Sequence, residues 1–229
     1  MKGKGRAYSL NDTLIKSVAQ ELCGAKFDWA ICGGYAISLY MDKDIRVHGD
    51  IDVCVFEKDR NPALKYMLNA GWNVYEFRGM GKVRKLNPNT SSDAGRNLMC
   101  LKEDCRLVKF YPCEEEGMLY HEFVHDGISK CDYIELLFNR EEDGEFVFDA
   151  GKGIKREIGK AIMHRNGVAY LAPEIVLLYK AAQPDRNENG IDFECAYPHM
   201  DDEQKSWLVQ SIKKLYPEGH KWLEKGQGV

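Results

Sequence analysis

Nowhere in the 229-residue sequence does an apolar run approach the ~20 residues that a bilayer span requires. The opening MKGKGRAYS carries no apolar stretch of the kind that marks a secretory signal, so a soluble, cytoplasmic protein is expected. Also missing is any cysteine pair at CxxC spacing. The eight cysteines (Cys23, Cys32, Cys54, Cys100, Cys105, Cys113, Cys131 and Cys195) are scattered, and without a secretory signal they read as reduced thiols rather than a disulfide framework. Cys100, Cys105 and Cys113 fall close enough together to suggest a metal site, yet their spacing matches none of the zinc patterns. Nor is there an excess of basic charge. A net charge of −4 and a pI of about 5.9 exclude general affinity for a nucleic-acid backbone, while a local basic groove remains open. Internal repeats and low-complexity tracts are absent as well.

What is present is an apolar share of 44%, enough for a sizeable core in one generous domain or a main domain with a smaller helical one. The most informative stretch is Ile31 to Phe56, ICGGYAISLYMDKDIRVHGDIDVCVF. It joins a glycine turn, Gly33-Gly34, to two aspartates, Asp50 and Asp52. On a strand, residues two apart share a face about 6–7 Å apart. Ile51, Val53 and Val55 are then expected to face the core, with Asp50, Asp52 and Cys54 on the face open to chemistry. Paired carboxylates suit hard divalent cations, and two such ions form the usual clamp for in-line phosphoryl displacement. Acid/base hydrolysis by the same pair is weaker, because carboxylates this close need a cation to relieve their repulsion. The glycine pair supports two readings, a tight packing turn or a phosphate-binding turn at a helix start.

Around this stretch the chain reads as alternating elements. Asn11 to Cys23 has Leu14, Ile15, Val18 and Leu22 at helical spacing, with Ser9 or Asn11 as cap. Phe27 to Cys32 resembles a strand, Tyr35 to Tyr40 a helix, Pro62 to Ala70 a helix, and Trp72 to Phe77 a strand. Gly79 to Arg96, rich in turn formers and cations, is expected to be a mobile loop whose Lys82, Arg84, Lys85 and Arg96 either meet solvent or attract phosphates. Strands are expected near Leu98 to Leu101, Arg106 to Tyr111 and Leu119 to Val124.

In Cys131 to Phe138, CDYIELLF, the residues Ile134, Leu136 and Phe138 make one face. Glu135 points the other way with Tyr133 and Leu137, while Asp132 falls on the apolar side. If this strand neighbours Ile51 to Phe56 with the core face in common, Glu135 becomes the third acid; otherwise it is an edge-strand glutamate in solvent. REEDGEFVF reads as a hairpin turning at Asp143-Gly144. From Gly151 a basic segment leads to a helix opening at Pro173, and further helices are expected around Asp192 to Tyr197, Asp202 to Leu215 and Glu218 to Lys225.

With these residues in place, the sequence resembles the DNA polymerase beta-like nucleotidyltransferase superfamily, whose signature is a Gly-Gly followed by Asp-x-Asp. It is similar above all to the aminoglycoside and lincosamide adenylyltransferases, in which an arginine and a histidine precede the aspartates as Arg46 and His48 do here. YIELLFNREEDGEFVF resembles that family's third-acid strand, and AYLAPEIVLLYKA and QKSWLVQSIKKLYPEGHKWL its C-terminal helices. The resemblance implies an α+β fold: a catalytic mixed-sheet domain over residues 1–150 and a mainly helical domain over 151–229. It implies two Mg²⁺ ions held by Asp50, Asp52 and Glu135, the last as ligand or general base. A nucleoside triphosphate, ATP foremost, would bind through Gly33, Gly34, Arg46, His48 and Lys180. The acceptor would be a hydroxyl of a small molecule such as an antibiotic, with pyrophosphate released by a monomer or homodimer. The sequence departs from the family at Tyr35, where many relatives have serine. After Lys180 it again departs, and there Asp192 alone can fill the second of the expected acidic positions. The alternative is the same fold without turnover, as a nucleotide-binding or protein-interaction module.

Overall fold

The computed structural model describes residues 12–124, 130–149 and 151–225. The caps considered for the first helix, Ser9 and Asn11, lie outside them. In chain order the elements are α1 (Asp12–Glu21), β1 (Trp29–Cys32), α2 (Gly33–Met41), β2 (Asp52–Phe56), α3 (Arg60–Asn69), β3 (Asn73–Gly79), β4 (Lys82–Leu86), β5 (Leu98–Leu101), β6 (Val108–Pro112), β7 (Met118–Phe123) and β8 (Tyr133–Glu142). There follow β9 (Glu145–Asp149), β10 (Ile154–Glu157), the single turn α4 (Ile158–Ala161), β11 (Ile162–Arg165), β12 (Val168–Leu171), α5 (Pro173–Lys180), α6 (Asn187–Ala196), α7 (Asp202–Leu215) and α8 (Lys221–Lys225). The architecture is α+β, with a mixed sheet and a helical C-terminal part. Among the described residues no helix is long and apolar enough to cross a membrane.

Compactness divides the chain into two units, with the segment that follows β1 grouped with the C-terminal part. Among the described residues, one unit comprises 12–31, 48–124 and 130–141; the other comprises 32–47, 142–149 and 151–225. The reason lies in α2, which packs on α5 and α6 and so joins the C-terminal helices.

The first unit is a sheet ordered β1-β2-β8-β5-β3-β4-β7-β6. Here β2 and β8 run parallel, and the pairs from β8 through β5, β3, β4 and β7 to β6 are antiparallel. Strand β2 sits between two neighbours and is covered on both faces, which explains its unbroken apolar run from Val53 to Phe56. Cys54, expected on the open face, is therefore buried, and Asn139 Nδ2 donates to its sulfur at 3.2 Å. Helix α3 covers the face of Val53, Val55 and Phe138; the Arg60 guanidinium lies 3.8 Å from the Phe138 ring centroid.

The segment from Gly79 to Arg96 is not the loop its composition suggested, because β4 pairs with β3 across a tight turn. Gly79, Met80 and Gly81 all take positive φ there, and glycine at two of the three keeps the turn affordable. Val83 and Leu86 supply the buried side chains of β4, and its cations find long-range acids. Buried Glu76 accepts from Arg78 at 2.6 Å, from Arg84 at 2.9 Å and from the Asp93 N–H at 2.8 Å. Lys82 pairs with Glu115 at 2.8 Å. A buried carboxylate with three donors is a structural anchor, so Arg84 is committed to the fold rather than to a phosphate.

The second unit contains two antiparallel pairs, β9 with β10 and β11 with β12, ahead of helices α5 to α8. The basic segment after Gly151 is thus strand-rich, since Ile154, Arg156, Val168 and Tyr170 are buried at alternating positions. Helix α5 starts at Pro173, whose fixed φ suits a first turn. Arg156 donates to buried Glu174 at 2.9 Å, and Gln204 Nε2 donates to the same carboxylate at 2.9 Å. Helix α7 opens with a capping box: Asp201 accepts from the Gln204 N–H at 2.8 Å, and the Gln204 side chain accepts from the Asp201 N–H at 3.1 Å. Asp201→Ala is expected to cost about 1 kcal/mol. A thermal melt should show this as a midpoint lowered by roughly 2–4 °C; an unchanged midpoint would mean the box contributes nothing.

Candidate active site

The acids follow from strand register. Asp52, the first residue of β2, is the direct partner of Glu135 on β8, and the Glu135 N–H donates to the Ile51 carbonyl at 3.0 Å. Asp50 precedes the strand and is exposed, while Asp52 and Glu135 are half-buried, so the group is open to solvent on one side. Asp132 takes no part in it. It is buried at the strand entrance with Lys130 3.4 Å away.

Burial pushes the Glu135 carboxyl up to about 7, with the negative charge of Asp50 acting in the same direction. The Tyr133 hydroxyl opposes this by donating to Glu135 Oε2 at 3.1 Å. Tyr133 is itself raised well above its ordinary value, first by burial and then by the charges of Glu135, Asp52 and Asp50, so it remains a neutral donor. Sequence reading did not single out Tyr133, although the alternation that selected Glu135 also places Tyr133 on the same face. Among the described residues no group of three or more His, Cys, Asp or Glu side chains is assembled as a finished metal cage. The chemistry of the donors nevertheless fits a hard cation: carboxylate oxygens only, electrostatically opposed to one another. Cys54 lies on this face but is inert, its thiol pushed up to about 12 by burial.

The other residues singled out from sequence belong to the second unit, apart from His48, which is buried just ahead of Asp50. Gly33 begins α2 with φ +60°, a conformation that favours glycine, and Cys32 makes no side-chain cap to the first turn. Tyr35 is buried. Arg46 and Lys180 converge on Asp192. Arg46 donates to its two oxygens at 2.8 and 3.0 Å, and Lys180 Nζ stands 2.9 Å from Oδ2. Burial pushes the Asp192 carboxyl up, yet the Arg46 hydrogen bond and the Lys180 charge outweigh it and hold the group below the ordinary aspartate value. Asn189 completes the cluster, accepting from Lys180 at 3.3 Å. No sequence signal joined Arg46 to Asp192, which lie 146 residues apart.

A parallel pair carrying opposed acids, a mixed sheet and a helical C-terminal part give the chain an α+β fold like that of solved antibiotic nucleotidyltransferases. Residues 14–84 match the aminoglycoside-2''-adenylyltransferase family, a segment that includes Gly33, Gly34, Asp50 and Asp52. No curated protein matches the chain by sequence. Among solved structures it is similar to the antibiotic-resistance factor ANT(2'')-Ia in solution, with 13% identity, 94% of this chain and 95% of that chain covered, and a TM-score of 0.54. The lincosamide antibiotic adenylyltransferase LnuA bound to lincomycin matches at 11% identity and TM-score 0.51 over 84% of this chain and 99% of that one. ANT(2'')-Ia in complex with adenylyl-2''-tobramycin matches at 11% identity and TM-score 0.51 over 89% and 97%. At these identities the likeness is one of fold.

Proposed function

We propose that the protein is a cytoplasmic, Mg²⁺-dependent nucleotidyltransferase. It would move a nucleoside monophosphate from a nucleoside triphosphate, ATP first among candidates, to a hydroxyl of a small molecule, and release pyrophosphate. The observation that carries this reading is the direct pairing of Asp52 with Glu135 beside Asp50, on one solvent-open face. The match of residues 14–84 to an adenylyltransferase family supports it. Bound at Asp50, Asp52 and Glu135, two Mg²⁺ ions would supply charge neutralisation at the α-phosphate and at the leaving pyrophosphate.

The chain's own residues have separate tasks in this reading. Tyr133 orients Glu135 through its hydroxyl, and Glu135 serves as metal ligand or takes the proton of the acceptor hydroxyl. The Gly33-Gly34 turn and the uncapped start of α2 offer backbone N–H groups suited to phosphate. Arg46, His48 and Lys180 are assigned to the nucleotide, with Asp192 holding the two cations in place. The relatives act on antibiotics, and an antibiotic hydroxyl is one acceptor within this proposal.

Pyrophosphate release with Mg²⁺, screened over the four nucleoside triphosphates and an acceptor panel, tests the reading. If no triphosphate binds in the presence of Mg²⁺, the protein is a non-catalytic module of the same fold. A second test uses Glu135 without turnover. Its raised value means that between about pH 4.5 and about 7 the folded chain holds a proton that the unfolded chain releases. This stabilisation is complete below the unfolded value and lost as pH rises through about 7. A cation replaces that proton, so Mg²⁺ should raise the thermal midpoint more at pH 8 than at pH 5.5. An equal or reversed gain would remove Glu135 from the metal site.

A further inference from the structure

The sheet carries a second feature on the face of the acids. Register places Met99 opposite Glu135, Tyr75 opposite Met99, and Phe77 opposite Val83, so these side chains share one face; Leu119, His121 and Phe123 continue it on β7. Strands β8 and β7 are four spacings apart, about 19 Å in a flat sheet. Yet the rings of Tyr133 on β8 and Phe123 on β7 lie 5.9 Å apart between centroids. The sheet therefore curls, and the acids and the rings line the inside of the curl. From Tyr133 the row runs edge to face through Phe123 to His121 at 5.5 Å and on to Phe77 at 5.4 Å. Phe77, His121 and Phe123 are each half-buried, so the row keeps exposed ring surface.

Two further properties bear on what the row can take. His121 Nδ1 is 2.8 Å from the Gly81 carbonyl, and because a carbonyl only accepts, Nδ1 carries the proton of that bond. Nε2 is then available to a hydroxyl. Among the described residues, the same face of β3 to β7 holds one charged side chain, Lys85, 5.7 Å from the Tyr75 ring centroid, and no carboxylate. Beyond the acids at its Tyr133 end, which the transferase reading gives to Mg²⁺, the row offers a polycation no anionic partner. A neutral ring with hydroxyl groups finds aromatic surface and a nitrogen.

We propose that Phe77, His121 and Phe123, backed by buried Tyr133, form the acceptor-binding wall and select an uncharged, hydroxylated molecule with a flat aromatic or apolar ring, in preference to a polycationic aminoglycoside. The inference rests on the transferase reading, which assigns phosphates to Gly33-Gly34. The wall lies on the β8 side of the acids, and the Tyr133 hydroxyl on Glu135 joins the wall to them.

The test is direct binding to the full chain of 4-methylumbelliferyl β-D-glucoside, read by fluorescence anisotropy, with methyl β-D-glucoside and tobramycin as competitors. The aryl glucoside should bind at least tenfold more tightly than either competitor. Binding should weaken at least fivefold in the Phe77→Leu/Phe123→Leu double variant, which keeps apolar volume, and persist in Phe123→Tyr, which keeps the ring. His121→Phe should weaken it through loss of Nε2. An aryl glucoside that binds no better than methyl glucoside, or tobramycin binding more tightly, overturns the proposal in the unmodified protein alone. Insensitivity to the double variant also overturns it. The transferase reading fails separately, through absence of triphosphate binding with Mg²⁺, and a chain that binds triphosphate but not the aryl glucoside retains that reading while losing the wall.

Discussion

In the proposed transferase, Asp52→Asn is expected to reduce nucleotidyl transfer by on the order of 10³-fold or more, because losing a carboxylate proposed to hold Mg²⁺ would forfeit several kcal/mol of transition-state charge stabilisation. The fold should survive. Asp52 is half-buried at the start of β2, no buried apolar contact depends on its charge, and asparagine has the same shape. Thermal midpoint and far-ultraviolet circular dichroism should therefore match the parent, and in the absence of Mg²⁺ the variant should be no less stable, since it relieves repulsion within the acid group. Glu135→Gln should be nearly as damaging to turnover, for it loses the carboxylate opposite Asp52 while keeping an acceptor for the Tyr133 hydroxyl. Asp132→Asn should change turnover by less than about threefold, because that side chain lies ahead of β8 and pairs with Lys130. Steady-state rates of pyrophosphate release on the three variants decide the matter. Equal losses for Glu135→Gln and Asp132→Asn would place the third acid elsewhere, and unchanged turnover in Asp52→Asn would end the enzyme reading.

The contrast between Glu135 and Asp132 was legible before any coordinates, because strand alternation is a local property and the apolar residues Ile134, Leu136 and Phe138 mark the core face unambiguously. The start of α5 at Pro173 and the whole of α7 were legible for the same kind of reason, their signals lying within a few residues of one another. Alternation failed at Cys54, where β2 is covered on both sides and no inside-outside contrast remains. It failed again at β4, whose Lys82, Arg84 and Lys85 look like loop residues until Glu76 of β3 and Glu115 of the turn before β7 pair with Arg84 and Lys82. The aromatic row was invisible as a row. Phe77, His121, Phe123 and Tyr133 come from three strands, and only the curl of the sheet brings β7 back to β8.

The Arg46, Lys180 and Asp192 cluster was the least legible feature, and it is expected to give the largest stability effect. Asp192 has no exposed surface and accepts from both Arg46 nitrogens, with Lys180 at 2.9 Å. Asp192→Ala leaves two cations with no carboxylate between them, a loss of about 3–5 kcal/mol for a broken buried pair. That is a large part of the ~5–15 kcal/mol that holds a typical domain together, and the midpoint should fall by roughly 10 °C or more. Adding Lys180→Met to Asp192→Ala should recover part of the loss, because one unpaired cation is removed; strict additivity would mean that the two side chains do not interact. The pH dependence has a definite sign. Arg46 and Lys180 hold Asp192 below its ordinary 3.8, so its contribution to stability is complete above about pH 3.8 and disappears as pH falls through the lower folded value. The parent should therefore lose more stability than Asp192→Ala between pH 4 and pH 2. If both lose equally, the cluster does not stabilise the fold through charge, and Asp192 has some role other than positioning Arg46 and Lys180 for a nucleotide.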